Sequence, residues 1–293
     1  MNVNSKNFIK TFLTALAIGC VGFFVLVLLL QPVFSGKVIL PQTFSIGSFQ
    51  IHYYGVVLAL AVIAGYWLAM KRKKLFGIED AESIIFWTLI GGFVGARAYH
   101  VISELPFYLQ HPNLILVVWK GGLGIYGAGI GGALALYLYL RVRMKNNSNF
   151  LHLLDWLTPS IVIGQVIGRF GNFFNYEIYG GPTNLLWKMF VPATFRHSPY
   201  LSADYFHPIF LYESMGSFVI LLILLRLKLP AGRLFLLWVL MYNAMRFLLE
   251  FLRVDSVIYG QIRVNAYVSL ALVLIAFTAW KYLNYVEQNS SNS

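Results

Sequence analysis

The sequence predicts an all-α polytopic membrane protein of about eight transmembrane helices with a small external head. Three observations predict it. Hydrophobic residues make up 59% of the 293 and charged residues only 11%, with a mean hydropathy of +0.70, whereas soluble domains are about 25% charged. Apolar runs long enough to cross a bilayer follow one another with little chain between them. Finally, the basic residues fall in alternate gaps: Lys6, Lys10, Lys71, Arg72, Lys73, Lys74, Arg141, Arg143, Lys145, Arg226, Lys228, Arg233 and Lys281 all lie on one side of the resulting topology. The positive-inside rule therefore explains the net charge of +11 without any nucleic-acid partner.

The elements follow in order. Lys6 and Lys10 precede an apolar run over residues 11–30. It exceeds the usual core of a secretory signal, so residues 1–36 read as a retained membrane anchor. Residues 37–52 alternate weakly and contain Pro41 and Gly47, the pattern of an external lead-in along the membrane surface. The second span, 54–70, ends on Lys71-Arg72-Lys73-Lys74, which pins that end inside. The third, 83–102, runs outward; it carries Gly91 and Gly95 at the spacing that lets helices approach closely, then Arg97 and His100. An external loop with two prolines leads to the fourth span, 122–140, glycine-dense at its outer end and closing on Arg141 and Arg143.

The fifth span begins near Leu151 and ends in the most polar membrane stretch of the chain, Gly164-Gln165-Val166-Ile167-Gly168-Arg169-Phe170-Gly171-Asn172-Phe173-Phe174-Asn175-Tyr176-Glu177. Residues 177–206 form the external head, too short to be a domain of its own. The sixth span, 208–225, returns to Arg226 and Lys228; the seventh, 234–251, goes out and the eighth, 266–282, comes back. Residues 37–285 thus make one transmembrane domain with both termini inside, and the polar tail, 286–293, is expected to be disordered. A single cysteine, Cys20, excludes an internal disulfide framework and any multi-cysteine metal site, and the six histidines show no paired ligand spacing. No metal is expected.

An ionised arginine within a bilayer costs about 3 kcal/mol or more, so it faces a partner or a cavity. At about 1.5 Å of rise per residue, Arg97, Arg169 and Arg246 all fall in the outer half of outward-going spans. Tyr54 and Tyr126 lie at the outer ends of inward-going ones. Five polar residues from five helices share one depth, which describes a cavity open to the outer leaflet and suited to an anion. Gly164 and Gly168 let another helix or a lipid headgroup approach, and Asn172 falls nearly one turn after Arg169. Tyr242, Arg246 and Glu250 are spaced by four, so Arg246 and Glu250 can pair. Arg169 has a candidate partner in Glu177. Each residue also has a plainer reading: a locking ion pair for Arg246 and Glu250, a snorkelling side chain for Arg97, interfacial belt residues for Tyr54 and Tyr126, and a helix entrance for His207-Pro208.

Gly168-Arg169-Phe170-Gly171-Asn172-Phe173-Phe174-Asn175-Tyr176-Glu177, followed by Gly180, resembles the signature of bacterial prolipoprotein diacylglyceryl transferases. Further likenesses fall in the family's order at His52-Tyr53-Tyr54-Gly55, Gly92 to Arg97, Gly121 to Gly127, His207-Pro208-Ile209-Phe210-Leu211-Tyr212-Glu213 and Arg246-Phe247-Leu248-Leu249-Glu250-Phe251. The resemblance spans roughly residues 38–283. It implies transfer of the diacylglyceryl group of phosphatidylglycerol to the lipobox cysteine of a prolipoprotein signal peptide, in the bacterial cytoplasmic (inner) membrane. It also implies that Arg169 binds the headgroup and that Tyr54, Asn172, Glu177, Gly180, Tyr242, Arg246 and Glu250 belong to the working site. Two features depart from the family: Tyr126 stands where a histidine base is frequent, and the first span exceeds the family's usual seven.

The chemistry is consistent with that resemblance. Guanidinium groups clamp phosphate oxygens and stabilise charge on a departing phosphate, which suits Arg169 and Arg246, with Arg97 as a third candidate. Asn172 can donate to a headgroup oxygen, and Glu177 or Glu250 can orient an arginine or accept the thiol proton. No organic cofactor is needed, since the lipid supplies the transferred group. The alternative function is a small-anion transporter, which would also use intramembrane arginines. It would place polar residues at the midplane and inner halves of several spans, and those halves are almost wholly apolar here.

Overall fold

The computed structural model describes residues 5–118, 121–144, 150–256, 258–260 and 262–290. Lys145, one of the basic residues that set the topology, lies outside them. The regular secondary structure of the described chain is helical apart from three two-stranded antiparallel ribbons. Among the described residues, seven helices are long and apolar enough to cross a membrane: α1 (Ser5–Phe34), α2 (Tyr53–Arg72), α3 (Ala81–Ser103), α5 (Ile125–Tyr139, continued by a π turn), α6 (Phe150–Phe174), α7 (Ile209–Arg226) and α9 (Val264–Ser290). The protein is therefore a multi-pass membrane protein. The eighth expected span is α8 (Arg233–Glu250), equal to α7 in length at 18 residues but carrying Arg233, Arg246 and Glu250.

The chain forms two compact units, Met1–Leu68 with Leu157–Ser293, and Ala69–Trp156. In the first, α7 is the most enclosed helix, with α1 on one side and α8 on another. Two glycines make these crossings close. A Cβ at Gly19 would run into Val219, and one at Gly216 into the Met245 sulfur. One end of this unit holds an aromatic core of Phe34, Phe173, Tyr179, Phe206 and Phe210, with Met189, Val191 and Leu211. Phe173 and Phe210 stack at 4.8 Å, so the ends of α6 and α7 are fixed to each other and to the head.

The lead-in is not featureless. β1 (Thr43–Ile46) pairs with β2 (Phe49–His52) around Gly47, whose φ of +59° suits a residue without a Cβ, and the ribbon runs directly into Tyr53 of α2. The head is built on β3 (Met189–Phe190) and β4 (Tyr205–Phe206), and its Arg196 pairs with Asp204 at 2.7 Å. A third ribbon, β5 (Ile258–Tyr259) with β6 (Ile262–Arg263), joins α8 to α9. The expected disorder of 286–293 is not what is found as far as Ser290, because α9 continues. Arg233 explains this: it donates to Asn284 at 2.8 Å and pairs with Glu287 at 3.1 Å, tying the end of α9 to the start of α8. Residues 291–293 lie outside the described residues.

In the second unit α3 and α5 pack backbone to backbone. A Cβ at Gly95 would strike the Gly127 carbonyl, and one at Gly131 the Gly91 carbonyl, so these glycines serve helix–helix contact. The fourth span starts later than residue 122 because Gly121 and Gly122 take φ values of +90° and +78°, which no right-handed helix accommodates. They belong to a loop that also contains α4 (Leu105–Gln110).

Candidate active site

The polar end of α6 lies in the first unit, and the groups around it come from α2, α7, α8 and the loop after α8. Arg169 Nη2 donates to Tyr242 Oη at 2.8 Å and lies 2.6 Å from Glu213 Oε2. The same carboxylate reaches Arg246: its Oε1 is 3.3 Å from Nη1. That nitrogen is also 2.8 Å from Glu250 Oε2, the pair anticipated from the spacing of four. The result is an alternating chain, Arg169, Glu213, Arg246, Glu250, in which the two guanidinium groups converge on one fully buried carboxylate. Charges drawn from three helices neutralise one another, which is what lets four ionised groups sit within an apolar bundle.

The pairing leaves part of each arginine open. Among the described residues neither Nε nor Nη1 of Arg169 has a hydrogen-bond partner, and neither Nε nor Nη2 of Arg246 has one. Their side chains keep 19% and 12% exposure. Each guanidinium is thus anchored by one nitrogen and presents the remaining N–H groups. Nearby, Arg253 makes a bidentate pair with Asp255 at 2.8 and 2.7 Å, and its Nη1 comes to 4.0 Å from Glu213 Oε1. Arg263 donates to the Glu250 and Arg253 carbonyls and to Ser256 Oγ, and Asn265 Nδ2 donates to Glu250 Oε1 at 3.3 Å.

The expected partner of Arg169, Glu177, is engaged elsewhere. Its two oxygens accept from Asn172 Nδ2 and Asn175 Nδ2, each at 3.1 Å. The chain leaves its helix at Phe174 and folds Glu177 back over that end, so the carboxylate meets amides of its own turn before any arginine. Tyr54 lies within electrostatic reach of both Glu177 and Arg169, and its ring fills the space that a Cβ at Gly171 would need. Gly180 is a glycine for packing reasons. A Cβ there would lie 2.8 Å from His207 Cβ and 2.9 Å from the Leu252 carbonyl, where residues 180–181 pair with the loop after α8. His207 Nδ1 is 3.1 Å from Tyr212 Oη, which also accepts from Trp187, and burial holds its pKa below the usual histidine value.

A second polar rung supports the first. Trp238 Nε1 donates to Gln165 Oε1 at 3.1 Å, one helical turn below the Arg169–Tyr242 bond on both α6 and α8, and the Trp238 and Tyr242 rings stack. Sequence reasoning did not select Glu213, Arg253, Arg263, Gln165 or Trp238. For Glu213 a signal existed, since a carboxylate five residues into an apolar helix is a functional candidate by default.

Arg97 and Tyr126 belong to the second unit. Arg97 is buried and donates to the carbonyls of Leu114, Ile115, Val117, Gly121 and Gly122. Its guanidinium also lies over the Tyr108 ring. Tyr126 sits in the first turn of α5, 44% exposed, with its ring 6.0 Å from that of Tyr99.

Residues 41–282 match the family model described as prolipoprotein diacylglyceryl transferase. The phosphatidylglycerol–prolipoprotein diacylglyceryl transferase of Thermotoga maritima is 40% identical over 92% of this chain and 94% of its own. Its namesake from Fervidobacterium nodosum is 38% identical over 95% and 96%, and that from Acaryochloris marina 38% identical over 83% and 91%. The Fervidobacterium match leaves so little of this chain uncovered that it must extend into α1, which precedes the family match.

Proposed function

Because the chain belongs to the prolipoprotein diacylglyceryl transferase family, we propose that it transfers the diacylglyceryl group of phosphatidylglycerol to the lipobox cysteine of prolipoprotein signal peptides. The cysteine sulfur attacks the glycerol carbon bearing the phosphate, a C–S bond forms as the C–O bond breaks, and glycerol phosphate leaves with the bonding pair. The thiol proton passes to a protein base or to the departing phosphate. A free thiol with a pKa near 8.5 is only a few per cent thiolate at pH 7, so a positive field helps twice. It raises the thiolate fraction and stabilises charge growing on the phosphate.

One observation carries this reading: Arg169 and Arg246 converge on Glu213 while each keeps N–H groups without a partner among the described residues. A phosphate diester offers the oxygens that such an edge accepts. Arg169 is the principal headgroup ligand and Arg246 the stabiliser of the leaving phosphate. Tyr242 and Glu213 hold the two guanidinium groups, while Asn172 and Tyr54 bound the headgroup. Glu177, Glu250 and Tyr126 are the candidates for proton handling, although a tyrosine of ordinary pKa near 10 is a weak base at neutral pH. Arg97, its donors occupied by carbonyls, acts by holding the loop that leads to Tyr126. The site faces the outer leaflet of the bacterial cytoplasmic membrane with both termini cytoplasmic, a reading supported by the alternation of basic residues. Residues 177–206 form a head over the working end.

The test is direct. Purified protein, phosphatidylglycerol and a synthetic lipobox peptide should yield glycerol phosphate and a peptide heavier by one diacylglyceryl group, and Arg169→Ala should yield neither while remaining inserted and folded. Normal turnover by Arg169→Ala would refute the assignment.

A further inference from the structure

Among the described residues, two that are not glycine adopt a left-handed backbone: Tyr176, with φ +56°, and Ile178, with φ +54°. They bracket Glu177. Side chains other than glycine and asparagine rarely enter this region, and a β-branched residue there is a true outlier that persists only where its surroundings hold it.

The surroundings are on hand for both. Tyr176 is buried, its Oη donates to the Leu40 carbonyl at 2.9 Å, and its ring stacks on Phe195 at 4.8 Å. It therefore ties the turn to the lead-in before β1 and to the head. Ile178 is buried as well, and its carbonyl accepts from the Phe210 N–H at 3.1 Å, next to the start of α7. Between them Glu177 is itself exposed, its N–H returns to the Asn172 carbonyl at 2.9 Å, and its carboxylate is held by two asparagine amides. The flanking side chains are anchored and the middle one is displayed. A loop that needed only to leave α6 would not require either conformation, and glycine would supply both without steric conflict.

We propose that Tyr176 and Ile178 are positioning residues, a paired left-handed turn whose buried side chains aim the Glu177 carboxylate across the end of α6. The inference rests on the proposed transferase function and deepens it: Glu177 acts from a fixed direction, and that direction is set from outside the arginine cluster. Because the anchors of Tyr176 are Leu40 and Phe195, a displacement of the lead-in or of the head reaches Glu177 through this turn.

The experiment separates positioning from folding by coupling to Glu177. Tyr176→Phe removes only the bond to Leu40, and Ile178→Gly keeps the backbone conformation and the carbonyl bond to Phe210 while removing the buried side chain. Each is measured for kcat, for KM of phosphatidylglycerol and for thermal unfolding in detergent, alone and together with Glu177→Gln. Alone, each should lower kcat by about tenfold with KM changed less than about threefold; combined with Glu177→Gln, neither should lower kcat further by more than about twofold. Should Glu177→Gln leave no measurable turnover, Glu177→Asp serves as the background. Equal losses in both backgrounds, or unchanged kcat in both single variants, would overturn the inference. Wild-type turnover by Glu177→Gln would also overturn it, by removing Glu177 from the chemistry, while leaving the arginine reading to be judged by Arg169→Ala.

Discussion

Arg97 and Arg169 are both arginines in the C-terminal part of an apolar helix, yet the two units of the protein treat them in opposite ways. In the second unit the partners of Arg97 among the described residues are neutral: five carbonyls take up its N–H groups, and Tyr108 lies beneath its plane. In the first unit Arg169 and Arg246 meet charged partners, among the described residues on one nitrogen each. A guanidinium surrounded by carbonyls is a cross-link, because its donors are saturated and its geometry is set by the loop it gathers. One neutralised at a single corner is stable in the membrane yet retains donors for an incoming anion. The number of partners distinguishes a structural arginine from a binding one less well than which edge they occupy.

The comparison can be broken at its strongest point first. Arg169→Lys keeps the charge but loses the fork, and should reduce kcat/KM by about a thousandfold, the scale of removing a transition-state donor, with the protein still folded; the transfer assay measures it. Glu213→Gln removes the shared acceptor and leaves two buried guanidinium groups short of one negative charge. It should lower turnover by about a hundredfold and destabilise the fold by about 3 kcal/mol, read by thermal unfolding in detergent. Arg97→Lys should behave differently, costing about 1–3 kcal/mol of stability through carbonyls left unpaired, with KM for the lipid unchanged. An Arg97→Lys protein of normal stability and raised KM would erase the distinction. Smallest is the second rung: Trp238→Phe removes one interhelical hydrogen bond, worth about 0.6 kcal/mol in membranes, and should lower turnover by about threefold.

The helices were legible because their signals are local. Apolar length and terminal lysines and arginines mark α2, α3, α6 and α7 to within a few residues. So was the Arg246–Glu250 pair, since helical spacing alone brings those side chains together. The partner of Arg169 was not legible. Glu177 is near in sequence, whereas Glu213 arrives on another helix, and nothing local reports which helix will pack alongside. The reach of Arg97 was hidden for the same reason, because the carbonyls it binds are turned inward by a loop that Gly121 and Gly122 shape. The four-residue strands β1 and β2 left only the weak alternation within 37–52, and the two-residue strands of the other ribbons are too short to leave a pattern at all. The left-handed turn around Glu177 is invisible to sequence reasoning for a more basic reason: Tyr and Ile are residue types that argue against it.

The central claim is that the open edges of Arg169 and Arg246 receive a lipid phosphate, and a structure of the protein with phosphatidylglycerol bound tests it most directly. The account predicts phosphate oxygens at about 2.7–3.1 Å from Nε or Nη1 of Arg169 and within the same reach of Arg246, with Glu213 still holding the opposite corners. A headgroup resolved elsewhere, with neither guanidinium contacting its phosphate, would contradict it.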